Sequence, residues 1–195
     1  VTTADPELAR ELELLAFHGM DGDAWQRYTD RGRWYYEIVR AGWKLHLGDP
    51  AAALGLVQLR RADAFHRRRA EIAAAYNAAF AGLPGVILPH EEPWARHAWH
   101  LYVLQVEPGT VREGRDGVIA DLAAARIGSS VHFIPLHHHP AFRDRLAGQA
   151  AHLPETERYF ARCLSLPLFP AMTDAEVARV AEAVRASVAR RSGRP

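Results

Sequence analysis

Residues 173–188, Thr-Asp-Ala-Glu-Val-Ala-Arg-Val-Ala-Glu-Ala-Val-Arg-Ala-Ser-Val, predict the clearest element of the chain. Thr173 and Glu176 have the spacing of a capping box, in which each side chain bonds the backbone N–H of the other residue. Small apolar residues then recur every three or four positions, so one face of the helix is expected to face a core. This face consists of Val177, Val180, Ala181, Val184 and Val188.

Strand and helix patterns alternate upstream of this closing helix. The predicted strands cover residues 86–88, 99–106 and 130–134, and the predicted helices cover residues 49–81 and 116–126, the latter stopped by Gly128. In the second strand His100, Tyr102, Leu104 and Val106 share one face. The order predicts a small α+β domain with a mixed or antiparallel sheet covered on one face by helices.

The N-terminal part of the chain is less regular. Asp5 followed by Pro6 predicts the start of a helix that ends near Leu15. Residues 17–33 predict a long loop, residues 34–39 have the composition of a strand, and residues 42–48 predict a second loop. The chain begins at Val1, and its first residues are typical of the middle of a longer protein.

Composition excludes several classes of function. The net charge is +1, so bulk electrostatics favours neither nucleic acid nor a membrane surface. The basic segment 60–69 is a possible nucleic-acid helix, but a solvated helix face is the better interpretation. No apolar run is long enough to span a bilayer and no signal peptide is recognisable, so cytoplasm is the default expectation.

Lys44 is the only lysine of the chain, and Cys163 is the only cysteine. Any lysine nucleophile must therefore be Lys44 or come from another chain. A single cysteine excludes an intrachain disulfide and a cysteine-based zinc cluster, and its apolar neighbours favour a buried structural thiol. The chain has no glycine-rich phosphate loop, no nucleophile elbow and no His-Glu-x-x-His motif.

Residues 132–140, His-Phe-Ile-Pro-Leu-His-His-His-Pro, contain four of the eleven histidines. Adjacent histidines in a turn are expected to point in different directions, and no acid or cysteine stands nearby at a familiar spacing, so no metal is assigned. A polar pocket wall and plain surface both stay open, with a metal site as the minor alternative. His97 and His100 could face the same pocket or be ordinary strand residues.

Several segments together resemble the C-terminal half of the DegT/DnrJ/StrS family of pyridoxal-phosphate-dependent sugar aminotransferases. They follow one another along the whole chain, which makes the resemblance more specific than any single motif. The segments are Phe17-His18-Gly19-Met20, Gly42-x-Lys44, residues 49–59, His100-Leu101-Tyr102-Val103, residues 131–137, residues 164–170 and Thr173-Asp174.

The resemblance implies an aspartate-aminotransferase-like fold of type I that works as a homodimer, with pyridoxal phosphate held between subunits. It implies transfer of an amino group, usually from glutamate, to a nucleotide-linked keto sugar. In that pattern the Schiff-base lysine precedes the segment where this chain starts. The expectation is therefore that this chain lacks the catalytic lysine and that none of its residues is catalytic.

Lys44 matches a different family lysine, in a Gly-x-Lys-Tyr-Asn segment whose asparagine reaches the cofactor phosphate of the partner subunit. His46 stands at the asparagine position here. Lys44 and His46 are thus the implied cofactor-binding residues. The neighbouring departures count against cofactor binding, even if an N-terminal half were supplied. They are Leu45 for tyrosine, Gly48 for threonine, Pro50-Ala51 for Ile-Gln, and Ala16 and Gly22 where arginines are common.

His132 and His137 match the two histidines of the family's Val-His-Tyr-x-Pro-Leu-His segment, which lines the substrate pocket. Phe133 replaces the tyrosine and removes a hydroxyl. The resemblance implies substrate contact for both histidines, while structural hydrogen bonding is the alternative.

Two functions are therefore open. In the first, the chain is the C-terminal portion of a sugar aminotransferase, with residues 1–58 completing the large cofactor-binding domain and residues 59–195 forming the small domain, and it is inactive alone. In the second, it is a degenerate, non-catalytic relative that serves as a sugar-nucleotide-binding or protein-interaction module.

Overall fold

The structure is a computed structural model that describes residues 1–20, 36–146, 148 and 152–193. Its contacts divide the chain into two compact units, Val1–Arg60 and Arg61–Pro195. Most of the predicted loop 17–33 and the first two residues of the predicted strand 34–39 lie outside the described residues. In the described part of the chain, no helix is both long enough and apolar enough to cross a membrane.

The first unit contains helix α1 (Pro6–Ala16) and the beginning of helix α2 (Asp49–Phe80). The Asp5 carboxylate accepts hydrogen bonds from the backbone of Glu7 and Leu8, so the predicted cap is confirmed. Residues 36–39 do not form the predicted strand. Ile38 makes only an isolated bridge to Met20, because no longer partner segment extends the pairing among the described residues.

The second unit contains a three-stranded antiparallel sheet in the order β1 (Val86–Ile87), β2 (Tyr102–Val106) and β3 (Cys163–Leu166). The antiparallel α+β prediction is confirmed. Within β2 the predicted face is also confirmed, since Tyr102, Leu104 and Val106 are buried. The strand begins at Tyr102 instead of Trp99, because Trp99 has a φ of 48° that interrupts the extended chain, and His100 is exposed.

Helix α3 (Gly114–Ala124) ends earlier than predicted, and Gly128 does not stop it. Arg126 takes the left-handed conformation with a φ of 57°. The amide of Ile127 then donates to the carbonyl of Leu122, and the amide of Arg126 donates to Ala123, which is the Schellman pattern. Ile127 is buried against the core, and this contact fixes the stop at Arg126.

Residues 130–134 do not form the predicted strand either. Ser130 exchanges two backbone hydrogen bonds with Ser165 of β3, and the pairing goes no further. Pro135 follows, and a 3₁₀ helix covers Leu136–His138. Helices α4 (Pro140–Arg143) and α5 (Pro154–Arg162) come next, and α5 runs directly into β3.

Helix α6 (Asp174–Ser192) closes the unit with the predicted capping box. Its valines belong to the same buried core as residues of α2, β2 and α3. The Tyr76 and Tyr102 rings meet edge to face at 5.0 Å inside this core. Their hydroxyls donate to the Pro167 carbonyl and to the Asn77 side chain, which leaves neither phenol unsatisfied. The largest fully buried side chains are Tyr76, Tyr102, Phe80, Ile72, Leu104, Leu122 and Leu164.

Candidate functional site

The loop of residues 42–48, here called the Lys44 loop, is tied by its backbone to the end of α1. Three hydrogen bonds of 2.7–2.8 Å make this connection: Trp43 N–H to Leu15 O, Leu45 N–H to Ala16 O, and His18 N–H to Trp43 O. An isolated bridge pairs Lys44 with Phe17. The position of Lys44 is therefore set by main-chain bonds, which do not depend on the identity of its side chain.

Two glycines make this backbone contact possible. A Cβ atom on Gly42 would collide with the backbone of His18 and Gly19, and a Cβ atom on Gly19 would collide with the Arg40 carbonyl. Gly19 also has a φ of 72°, in the left-handed region that favours glycine. Close packing of main chain on main chain explains why glycine occupies both positions.

The side chains of Lys44 and His46 project from the loop into solvent. The His46 ring meets the Phe17 ring edge to face, with centroids 5.1 Å apart, so it is held against the end of α1. An ammonium group and an imidazole are donors that suit a phosphate group. The donor chemistry of this loop is therefore compatible with a phosphorylated cofactor.

His132 lies in the second unit, next to β3. Its Nδ1 atom is 2.9 Å from the Ser165 hydroxyl and 3.3 Å from the Ser130 hydroxyl. Phe133, which follows it, is 83% exposed. The two serines are the residues whose backbones form the isolated bridge described above. This pairing brings both hydroxyls to the same side of the His132 ring, where they orient it.

Cys163, the first residue of β3, is buried close to the backbone of this histidine. Its sulfur is 3.9 Å from the carbonyls of His132 and Phe160. Burial raises the pKa of the Cys163 thiol, which keeps it protonated at neutral pH. The prediction of a buried structural thiol is confirmed.

His137 and His138 converge on one carboxylate. The Nε2 atom of each contacts Oε1 of Glu157, with a distance of 3.0 Å for His138. These hydrogen bonds, above all the one from His137, hold the pKa of Glu157 below its usual range. The His137 side chain is only 7% exposed.

This convergence corrects the expectation that adjacent histidines point in different directions. It also corrects the view that no acid completes the cluster, since Glu157 arrives from α5, twenty residues after His137. The sequence carries a weak signal for it: Pro154 predicts the start of a helix whose first turns contain Glu155 and Glu157.

His97 and His100 have other surroundings. The Nδ1 atom of His97 accepts a hydrogen bond from the Trp99 amide, and the carbonyl of His97 is 2.8 Å from Nε2 of His66. His100 is exposed. The contacts of His97 favour the alternative that it is an ordinary structural residue, since none of them is with residues 132–139.

The comparisons with known proteins give a consistent result. Residues 1–185 match the DegT/DnrJ/EryC1/StrS aminotransferase family. The spore coat polysaccharide biosynthesis protein SpsC of Bacillus subtilis (strain 168) is 46% identical over 186 residues, which are 95% of this chain and 48% of SpsC. The chain thus spans about half the length of the curated relatives it matches.

Solved structures agree with the sequence match. Spr1654 from Streptococcus pneumoniae, in its PMP form, superposes with a TM-score of 0.79 at 31% identity, over 96% of this chain and 48% of that one. The same protein has been solved in a PLP form. The aminotransferase TlmJ from Streptoalloteichus hindustanus gives a TM-score of 0.77 at 30% identity, over 97% and 47% of the two chains.

These structural relatives are fold-type I aminotransferases, so the predicted fold class is confirmed. The extent of the match confirms the predicted family as well, and it shows that the resemblance covers part of a longer architecture. The chain belongs to the DegT/DnrJ/EryC1/StrS aminotransferase family.

Proposed function

We propose that this chain is the C-terminal portion of a pyridoxal-phosphate-dependent aminotransferase that acts on nucleotide-linked keto sugars, with glutamate as the usual amino donor. The observation that carries the proposal is the family match over residues 1–185, which spans only about half of SpsC. The name of SpsC places that relative in polysaccharide biosynthesis, which supports a sugar substrate.

The described part of the first unit supports the proposal because it buries almost no side chain. Among the described residues 1–20 and 36–60, only Gly19 is buried. Large apolar side chains are exposed instead: Ile38, Val39, Trp43, Leu45, Leu47, Leu54, Leu56, Val57 and Leu59. So many exposed large apolar side chains in one short segment favour an interaction site. We propose that residues 1–58 complete a larger cofactor-binding domain, that residues 59–195 form the small domain, and that the assembly is a homodimer.

The cofactor, when bound, supplies an electron sink for the amino-transfer chemistry. In the proposed assembly Lys44 and His46 donate hydrogen bonds to its phosphate group across the subunit boundary. His132 and His137 line the substrate pocket, where Ser165 and Glu157 fix the two imidazoles. Because Lys44 is the only lysine and lies in the phosphate-binding loop, this chain alone is not expected to transfer amino groups.

A second candidate function is a non-catalytic binding module. It is favoured by the residues around Lys44 that differ from the family pattern, above all His46 in place of asparagine and Leu45 in place of tyrosine. This module would keep the dimer surface and a sugar-nucleotide pocket without holding the cofactor.

The experiment that separates the two is complementation. The chain is co-expressed with the portion of SpsC that it does not cover, and protein-bound pyridoxal phosphate is measured by visible absorbance. The aminotransferase proposal predicts a band that the chain alone does not give, and a weaker cofactor affinity for His46→Ala. A stable complex that binds a nucleotide sugar but no cofactor would favour the module.

A band formed by the isolated chain and lost in Lys44→Ala would contradict the proposed absence of a catalytic lysine. His90→Ala is the matched control for His46→Ala, because His90 is an exposed histidine outside the Lys44 loop and outside residues 132–139. No cofactor binding and no complex would contradict the proposed function as a whole.

A further inference from the structure

Outside the residues that the proposed function uses for the cofactor, one cluster has the composition of a metal site. The ligand atoms of His137, His138 and Glu157 all lie within 4.8 Å of one another. Four-coordinate zinc holds nitrogen and oxygen ligands about 2.0–2.1 Å away, so neighbouring ligand atoms are about 3.3 Å apart. The separation of 3.0 Å between His138 Nε2 and Glu157 Oε1 is close to that value. His137 Nε2 is in direct hydrogen-bond contact with the same oxygen and would have to move away from it to admit an ion.

The elements that carry the ligands hold them in place. His137 and His138 occupy consecutive positions of the 3₁₀ helix, whose turn is closed by a hydrogen bond from the His138 amide to the Pro135 carbonyl. The two rings are perpendicular, at 89°, with centroids 4.6 Å apart. Glu157 is on the first turns of α5, and Phe160 of the same helix packs edge-on against the His138 ring.

This arrangement keeps both Nε2 atoms directed at the same oxygen. One carboxylate oxygen can accept a hydrogen bond from both Nε2 atoms. The same three atoms can also bind a cation, with each imidazole coordinating through Nε2 while Nδ1 carries its proton. Two imidazoles and one carboxylate form a ligand set that occurs in zinc enzymes, where the fourth position is left to water or substrate.

Burial also suits a bound ion. The His137 side chain is 7% exposed, while His138 and Glu157 are each 35% exposed. One side of the cluster is therefore shielded by protein, and the other is open to a solvent ligand. The Arg143 guanidinium donates a hydrogen bond to the His138 carbonyl at 3.2 Å, so it binds the backbone of the turn and not the Glu157 carboxylate.

We propose that His137 Nε2, His138 Nε2 and Glu157 Oε1 form a three-ligand zinc site with one open coordination position. All three ligands lie in the second unit and none of them holds the cofactor phosphate. His137 and Glu157 are shared with the proposed substrate pocket, so Zn²⁺ binding is tested on the chain alone, where it does not require amino transfer.

The test is metal binding by the purified chain, freed of metal with a chelator. Zn²⁺ affinity is measured by competition with a chromophoric chelator, and Co²⁺ reports coordination through its visible spectrum. We expect one Zn²⁺ per chain and a tetrahedral Co²⁺ spectrum. Glu157→Gln and His138→Ala are each expected to weaken Zn²⁺ binding by at least about tenfold, since removal even of a group that only supports a ligand costs that much.

His139→Ala is the matched control, because His139 adjoins the cluster but is not part of it. It should leave the affinity within about twofold of the parent. Circular dichroism establishes that each variant is folded, and Glu157→Gln keeps the shape of the side chain in case His138→Ala does not fold. Equal Zn²⁺ affinity in the parent and in Glu157→Gln, or no tetrahedral Co²⁺ spectrum, would overturn the proposal and assign any binding to the other histidines.

Discussion

At the scale of single residues, Asp121 of α3 makes several charged contacts with α6. Its carboxylate accepts hydrogen bonds from Arg191 at 2.7 and 3.0 Å and from Ser187 at 2.6 Å, and Arg190 lies 2.8 Å away. The side chains of Asp121 and Arg191 are 17% and 11% exposed. Arg191 holds the pKa of Asp121 well below its ordinary value.

Asp121→Asn should therefore destabilise the chain by about 3 kcal/mol at pH 7, because it leaves a largely buried guanidinium without its main partner. A carboxyl group with a lowered pKa stabilises the fold above its unfolded pKa of about 3.9 and loses that contribution as pH falls through the lower folded pKa. The difference between parent and variant should thus be constant from pH 7 to 5 and shrink below about pH 4.

Urea denaturation at several pH values measures this difference. Asp116→Asn is the control on the same helix, since Asp116 is 81% exposed and should contribute little. A difference that grew toward acid pH would contradict the sign of the argument.

Gly42 is the second residue whose role the structure defines. Gly42→Ala should loosen the Lys44 loop, because the added Cβ meets the backbone of Gly19 and cannot be relieved by rotating a side chain. Faster proteolysis between residues 36 and 48 is the expected result. Gly48→Ala, at the end of the same loop, is the control, since nothing lies within 4 Å of its Cβ position. Equal cleavage of both variants would show that the close approach is unimportant.

At the scale of elements, the C-terminal end of α3 has an arginine, Arg126, at the left-handed position where helices usually have glycine. Arg126 adopts a left-handed conformation that glycine adopts without a steric cost. Arg126→Gly should raise the free energy of unfolding by about 1 kcal/mol, because the Schellman bonds are made by the backbone and survive the change. Thermal denaturation gives the measurement. Gly128→Ala is the control, and a loss of stability in Arg126→Gly would show that the arginine side chain contributes more than its conformation costs.

The helices were easier to predict from the sequence than the strands and the side-chain contacts. The capped helices α1 and α6 were predictable because Asp5, Thr173 and Glu176 act on backbone groups two or three residues away. Residues 130–134 were predicted as a strand on composition, but a strand needs a partner of matching length, and only Ser130 finds one in β3. The contact between His138 and Glu157 was missed for a related reason, since α4 and the connection before α5 separate the two residues.

At the scale of the whole molecule, the two units differ in how much of their surface they bury. In α2, residues 51–60 have no buried side chain, whereas Ile72, Ala73, Tyr76 and Phe80 belong to the core. Helices without tertiary packing open readily. Amides of residues 53–60 should therefore exchange with solvent at least about tenfold faster than those of residues 73–80.

Hydrogen exchange with mass spectrometry, at protein concentrations low enough to prevent association, measures this difference. Equal protection of both halves under those conditions would show that the exposed apolar residues of the first unit are covered within a single chain. Protection that increases with protein concentration would support the proposed dimer.

The direct junction between α5 and β3 has a further consequence. Glu157, which holds His137 and His138, and Ser165, which holds His132, are eight residues apart on one continuous piece of backbone, with no loop between helix and strand. A ligand that bound at one of these histidines and displaced this backbone would also displace the residue that orients the other histidine. Any resulting change in affinity would be equal in both directions, because binding free energies are reciprocal.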